Sequence, residues 1–272
     1  MPEDLMTLPA PFRVWGEGNA RKVLALHCSL AHAGAWSGVA RYLPGVELTA
    51  FDQPGHGKAA DWDGETELQG LTTRLAVDFA ERIGGGEPVD LLGHSFGGTV
   101  CLRVALERPD LVRSLTLVEP VLFAAARAAG SPSFAAFMTE HSKFEAEVRS
   151  GHFEAGARMF HGEWGNDTGF DDMPEAQRRY MVERIGMIVA QGPSLAADSG
   201  GLLRYMGLES LSVPVLLIDG AKSPPVIDGI MQELARRLPQ SERLTVPGAG
   251  HMVAITHPEA VARAMAGHLD RA

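Results

Sequence analysis

The sequence predicts an α/β fold, a mostly parallel sheet with helices on both faces and one helical insertion. Three observations predict it. Short apolar runs recur along the chain, each the length of a buried strand. Helical periodicities fall between them. One long stretch, 121–211, has helical spacings and no convincing strand.

The runs come in order as Val23 to Leu26, Val46 to Phe51, Val89 to Leu92, Leu115 to Val118, Val215 to Ile218 and a weaker Leu244 to Val246. None alternates cleanly between polar and apolar, which is how strands covered on both faces read. Between them, Leu71, Leu75, Phe79 and Ile83 recur every four residues until Gly84-Gly85-Gly86 ends the pattern. A second helix starts near Phe96 and stops before Pro109, and a third is marked by Ile230, Leu234 and Leu238, closed by Pro239. The last shows a capping-box pattern, with Thr256 at the N-cap, Pro258 just inside and Glu259 three residues after the threonine. Strand–helix alternation of this kind argues a parallel sheet. The stretch 121–211 holds six of the 11 methionines and reads as an insertion with its own small core. A sharper reading has these flexible side chains lining an adaptable apolar pocket.

A chain of 272 residues admits one core with an insertion or two domains. With 45% hydrophobic and 21% charged residues it has a globular composition. The net charge is −10 without a Lys/Arg cluster, which argues against a nucleic-acid partner and against anionic membrane surfaces. No apolar stretch is long enough to cross a bilayer. Met1-Pro2-Glu3-Asp4 does not resemble the basic start of a signal peptide, so a cytoplasmic protein is expected. Cys28 and Cys101 lie in apolar runs and read as reduced thiols.

Gly93-His94-Ser95-Phe96-Gly97 fits G-x-S-x-G and sits directly between a strand run and a helix. That setting is what the motif requires: a tight strand-to-helix turn that lifts the serine hydroxyl clear, with small neighbours tolerating the crowded backbone. The helix N-terminus then points its N–H groups at a reacting carbonyl. A serine hydroxyl needs a base. The candidate is His251, in a Gly-rich loop between the last strand and the last helix. His94 is expected to pack beneath the elbow and His56 to sit in a turn. His141, His152, His161, His257 and His268 read as solvated side chains, and His32 lies near the loop after the first strand run.

Taken together, His27-Cys28-Ser29, Asp52-Gln53-Pro54-Gly55-His56-Gly57, the Ser95 pentapeptide and Gly248-Ala249-Gly250-His251 resemble the α/β-hydrolase family, from roughly Phe12 to Leu269. The resemblance implies an eight-stranded sheet, a helical cap inserted after the sixth strand, and hydrolysis without a cofactor or metal. Residues 1–120 and 212–272 then form the core and 121–211 the cap. It also implies an oxyanion hole from the N–H groups of Ser29 and Phe96, with Leu30 as the alternative to Ser29 because Cys28 replaces the usual glycine. The family's common acid position, after the seventh strand, is occupied by Ser223, and Asp219 falls four residues earlier. A second arrangement in the family puts the acid after the sixth strand, where Glu119 stands. Three carboxylates stay open: Glu119, Asp219 and Asp228, with Glu119 preferred.

The expected function is hydrolysis of a small ester-like or acyl substrate through an acyl-enzyme, by Ser95, His251 and Glu119. Carbon–carbon bond hydrolysis and lactone or thioester hydrolysis use the same machinery. The rival of another class is a ligand-binding protein that kept the scaffold and lost turnover.

Overall fold

A computed structural model of the chain describes residues 10–272. One sheet holds the strands β1 (Phe12–Trp15), β2 (Arg21–Leu26), β3 (Val46–Phe51), β4 (Val89–His94), β5 (Val112–Val118), β6 (Val215–Gly220) and β7 (Ser241–Val246). Their spatial order is β1-β3-β2-β4-β5-β6-β7. Every neighbouring pair is parallel except β1 with β3. The six apolar runs became β2 to β7. The eight strands implied by the resemblance are corrected to seven among the described residues.

The sheet separates two apolar layers. Leu24, Leu26, Leu91, Leu115 and Leu217 face one layer, whereas Val23, Ala25, Leu92, Leu216 and Ile218 face the other. Both sets are fully or almost fully buried, so the period-two alternation of a strand is invisible as polarity. The first layer is completed by α2 (Leu68–Gly84) and α3 (Phe96–Glu107), the second by α1 (Ser37–Tyr42). The edge strand β7 is mostly exposed, which is why its run is weak in sequence.

Between β5 and β6 the described chain is helical: α4 (Phe123–Ala128), α5 (Pro132–Arg149), α6 (Phe153–Trp164), α7 (Glu175–Arg184) and α8 (Gly186–Leu195). Phe144, Val148, Ala157, Phe170, Ile185 and Ile188 form a small core there, as the sequence reading expected. After β6 come α9 (Pro225–Arg237), α10 (Val253–Thr256) and α11 (Pro258–Leu269). α9 packs on the first layer, and α10 and α11 pack on the second.

The capping box is a correction. Thr256 is the last residue of α10, the N-cap of α11 is His257, and no side chain caps it. A residue already in helical conformation cannot take the extended backbone of an N-cap. The Thr256 hydroxyl instead meets Met252 O and His257 Nδ1.

Candidate active site

β4 runs into α3 through Ser95, whose φ of 56° and ψ of −119° lie where an L-residue is strained. The crowding is physical. A Cβ at Gly97 would stand 2.4 Å from Leu26 O, and one at Gly93 would stand 2.6 Å from Gly97 O. Only glycine fits two residues to either side of this serine. Ser95 N–H donates to Val118 O at 2.9 Å, tying the turn to β5.

The loop after β7 brings His251 above the same strand ends. Its Nε2 accepts from the Ser95 hydroxyl at 3.1 Å, and its Nδ1 donates to Glu119 Oε2 at 2.6 Å. Glu119 ends β5 with a φ of 47° and is fully buried. Its other oxygen, Oε1, accepts from Gly220 N–H at 2.6 Å and from the Ser223 hydroxyl. Burial alone would push this carboxyl up. The hydrogen bond and charge of His251, with Ser223 and Gly220, outweigh it and hold the group below the ordinary carboxylate range. Glu119 Oε2 faces the Nδ1 side of the His251 ring and Ser95 Oγ its Nε2 side, an arrangement in which a proton on Nδ1 leaves Nε2 able to accept one.

His27 secures the loop that carries Ser29. Gln53 N–H donates to His27 Nε2 at 3.1 Å, and His27 Nδ1 donates to Cys28 O at 2.8 Å. Leu30 follows with a φ of 60°. Three of the five non-glycine residues with positive φ among the described residues, Leu30, Ser95 and Glu119, therefore cluster at these strand ends. Burial pushes the Cys28 thiol up to about 12, so it offers no thiolate.

The family model for the alpha/beta hydrolase family matches residues 23–264. The chain belongs to the alpha/beta hydrolase family. This α/β hydrolase is similar to an esterase of Mycobacterium tuberculosis, 30% identical over 94% of this chain and 85% of the other. It is also similar to the pimeloyl-[acyl-carrier protein] methyl ester esterase of Yersinia pseudotuberculosis, 27% identical over 91% and 92% of the two chains. Among solved structures, a thermophilic esterase from Thermogutta terrifontis shares the fold with a TM-score of 0.73, at 22% identity over 96% of this chain and 92% of that one. Hydrolysis of ester-like substrates is the chemistry these relatives support. No helix among the described residues is long and apolar enough to cross a membrane.

In this α/β hydrolase a cavity of about 30 Å³ adjoins Ser95 and His251, walled by Phe123, Phe160, Trp164 and Ile188 from the helical segment. Trp164 stands edge-on to His251, with ring centroids 4.7 Å apart. Beyond Trp164 and Phe160 lies a wider groove of about 640 Å³ that also reaches Ser29. No methionine lines the small cavity, and of the six methionines in this stretch Met173 and Met181 line the wider groove. Met173 and Ile185 pack the small helical core, Met187 lies against Gly55, and Met206 is exposed. The flexible thioethers fill packing gaps here.

The histidines need correcting too. His141 lines the cavity, stacked on Phe137. Burial lowers its pKa, with Glu145 opposing. His161 is buried and bonded to Thr168 O, and His268 is buried as well. His32 caps a short turn through Gly34 N–H and lines the wider groove but not the small cavity. His94 is buried, and its Nε2 donates to the His251 carbonyl at 2.9 Å, which fixes the backbone that carries the His251 ring. Spacing missed Ser223, Trp164 and Gln191. Only Ser223 carried a signal, since it stands in the position where the family's acid is common.

Asp219 is held elsewhere, by Arg243 in a two-point ion pair at 2.9 and 3.0 Å and by the Thr245 hydroxyl. Asp228 on α9 meets the same Arg243. Neither carboxylate contacts His251.

Proposed function

We propose that this α/β hydrolase cleaves small esters of uncharged acyl groups through an acyl-enzyme on Ser95. The observation that carries the reading is the unbroken line of hydrogen bonds from the Ser95 hydroxyl through His251 to Glu119. His251 Nε2 takes the hydroxyl proton as Ser95 Oγ adds to the substrate carbonyl. The oxyanion is met by the N–H groups of Ser29 and Phe96, the latter opening α3 with the positive end of the helix dipole behind it. Collapse expels the alcohol, which takes the proton from His251. Water then adds to the acyl-enzyme with His251 as base, and Ser95 is restored.

The helices between β5 and β6 serve as a cap, residues 121–211, over a core of 1–120 and 212–272. Their side chains wall the cavity beside Ser95, and that is what supports the division. The small cavity suits a short acyl group, and the wider groove past Trp164 suits the leaving alcohol. No Arg, Lys, Asp or Glu lines the cavity, so an ionised acyl chain would be buried there without a partner.

The test is labelling by a fluorophosphonate, which requires an activated serine. Peptide mapping should place the adduct on Ser95, and Ser95→Ala should abolish both the adduct and turnover of p-nitrophenyl butanoate, by a factor on the order of 10⁴ or more. An unlabelled but folded wild-type protein would point to the ligand-binding rival instead.

A further inference from the structure

Beside the reacting groups, one buried polar side chain has half its hydrogen-bonding capacity unspent. Gln191 lies on α8, is 2% exposed, and lines the cavity with Ser29, Ser95 and His251. The Ser29 hydroxyl donates to Gln191 Oε1 at 2.8 Å. Gln191 Nε2 is buried and has no partner among the described residues. The backbone beneath it is pinned, because the Ser194 hydroxyl donates to Gln191 O at 2.9 Å. The side chain is therefore held at one end and unpaired at the other, a few atoms from where the acyl group of an ester would lie.

Buried amide donors are almost always paired, and those left over in a native structure call for an explanation. The cavity wall it shares includes the apolar Phe123, Trp164, Ile188 and Leu195, which cannot accept a strong hydrogen bond, and His141, which lines the same cavity, makes none with Gln191 Nε2. We propose that Gln191 is a specificity-determining residue whose Nε2 donates to an oxygen of the acyl chain, so that the preferred substrate is an uncharged ester bearing an ether, hydroxyl or second carbonyl oxygen beyond the scissile carbonyl.

This deepens the serine-esterase reading and rests on it. The discrimination follows from the same physics as the orphan donor. A substrate with the oxygen completes the bond, whereas an alkyl chain of equal length leaves the donor buried and unpaired. The Ser29 contact adds a second consequence: Gln191 steadies the segment from which an oxyanion donor is expected.

The experiment compares wild type, Gln191→Met and Gln191→Glu on two matched pairs of p-nitrophenyl esters. The pairs are methoxyacetate with butanoate and 4-oxopentanoate with 4-methylpentanoate. Intrinsic reactivity cancels when the kcat/KM ratio within a pair is compared across proteins. Gln191→Met keeps the size and removes both polar atoms. Gln191→Glu keeps an acceptor for the Ser29 hydroxyl but has no N–H. Both substitutions should lower the oxygenated-to-alkyl ratio by about tenfold or more in at least one pair, with butanoate or 4-methylpentanoate turnover less affected. Ratios unchanged within about twofold in both variants would overturn the role of Gln191. So would a uniform loss on all four esters, because that is the signature of misplaced Ser29 alone. Fluorophosphonate labelling of the same proteins separates the two levels. Wild type that neither labels at Ser95 nor turns over any ester refutes the esterase reading itself, whereas labelled wild type with unchanged variant ratios refutes Gln191 only.

Discussion

Glu119 and Asp219 occupy equivalent places on neighbouring strands and have opposite fates. β5 and β6 run parallel with Val118 opposite Ile218, so the next residue of each strand is a carboxylate. Both are almost fully buried. Leu117 and Leu217, two residues back, face the same apolar layer, so alternation would send both acids to that face. Asp219 obeys. It stays in the ladder with β7 and meets Arg243 and Thr245 on the next strand. Glu119 does not. Its φ of 47° ends the strand and turns the side chain out of the alternation toward His251. One left-handed residue thus separates an acid paired within the sheet from an acid paired with His251.

Replacing Glu119 by Gln should have the largest effect, cutting kcat by roughly a thousandfold or more with the fold retained, because the ring of His251 loses its tautomer control. Circular dichroism and saturation kinetics on p-nitrophenyl butanoate would check it. Near-normal turnover would mean that the geometric pairing with His251 has no catalytic consequence.

Acid stability separates the site's carboxylate from its buried histidines. Burial lowers the pKa of His56 to about 4, and that of His94 to about 3, with His251 adding to the second. The unfolded chain binds those protons near pH 6.5, so folding stability should fall as pH drops below that value. His56 alone accounts for about 2 kcal/mol between pH 6.5 and pH 5. Glu119, with its pKa held low, contributes stability that is present above the ordinary carboxylate value and lost only as pH falls through its lowered one. Urea unfolding across pH 6.5 to 5 should therefore show a shallower slope for His56→Phe and an unchanged slope for Glu119→Gln.

Ser223→Ala should cost about tenfold in kcat, since it removes one of the bonds that fix Glu119 Oε1 while leaving Gly220 N–H in place. The smallest catalytic effect should come from Asp219→Asn. Turnover should change by less than about threefold. Stability should drop by about 1 kcal/mol, since Arg243 is partly exposed and keeps Asp228. A kcat loss for Asp219→Asn as large as that for Glu119→Gln would erase the distinction between the two strand ends.

Much of this was readable before any coordinates. Six strands announced themselves as apolar runs because both faces of the sheet are covered, and a buried strand has no polar face to lose. The turn at Ser95 was legible because its crowded backbone tolerates only glycine two residues to either side, and glycine is visible in a sequence. The Gly-rich loop made His251 a candidate, and the strand end before Pro120 made Glu119 the preferred one of three candidate carboxylates. β1 was not legible as a run, since four partly buried residues at an edge make too short a pattern. His141, Gln191 and Trp164 were not legible either. They come from three different helices, and helical spacing states which residues share a face of one helix but not which faces meet.

The sequence by itself therefore determined the layered α/β architecture and the strand-to-helix turn at Ser95, and pointed to His251 as a candidate base, because each depends on local backbone sterics or on burial periodicity within one element. The tertiary structure decided the partner of that base and the wall of the cavity. Those depend on side chains separated by more than a hundred residues, such as Glu119 and His251, meeting across packed elements. Distances between elements are set by how the whole chain closes on its core, and no local pattern encodes them.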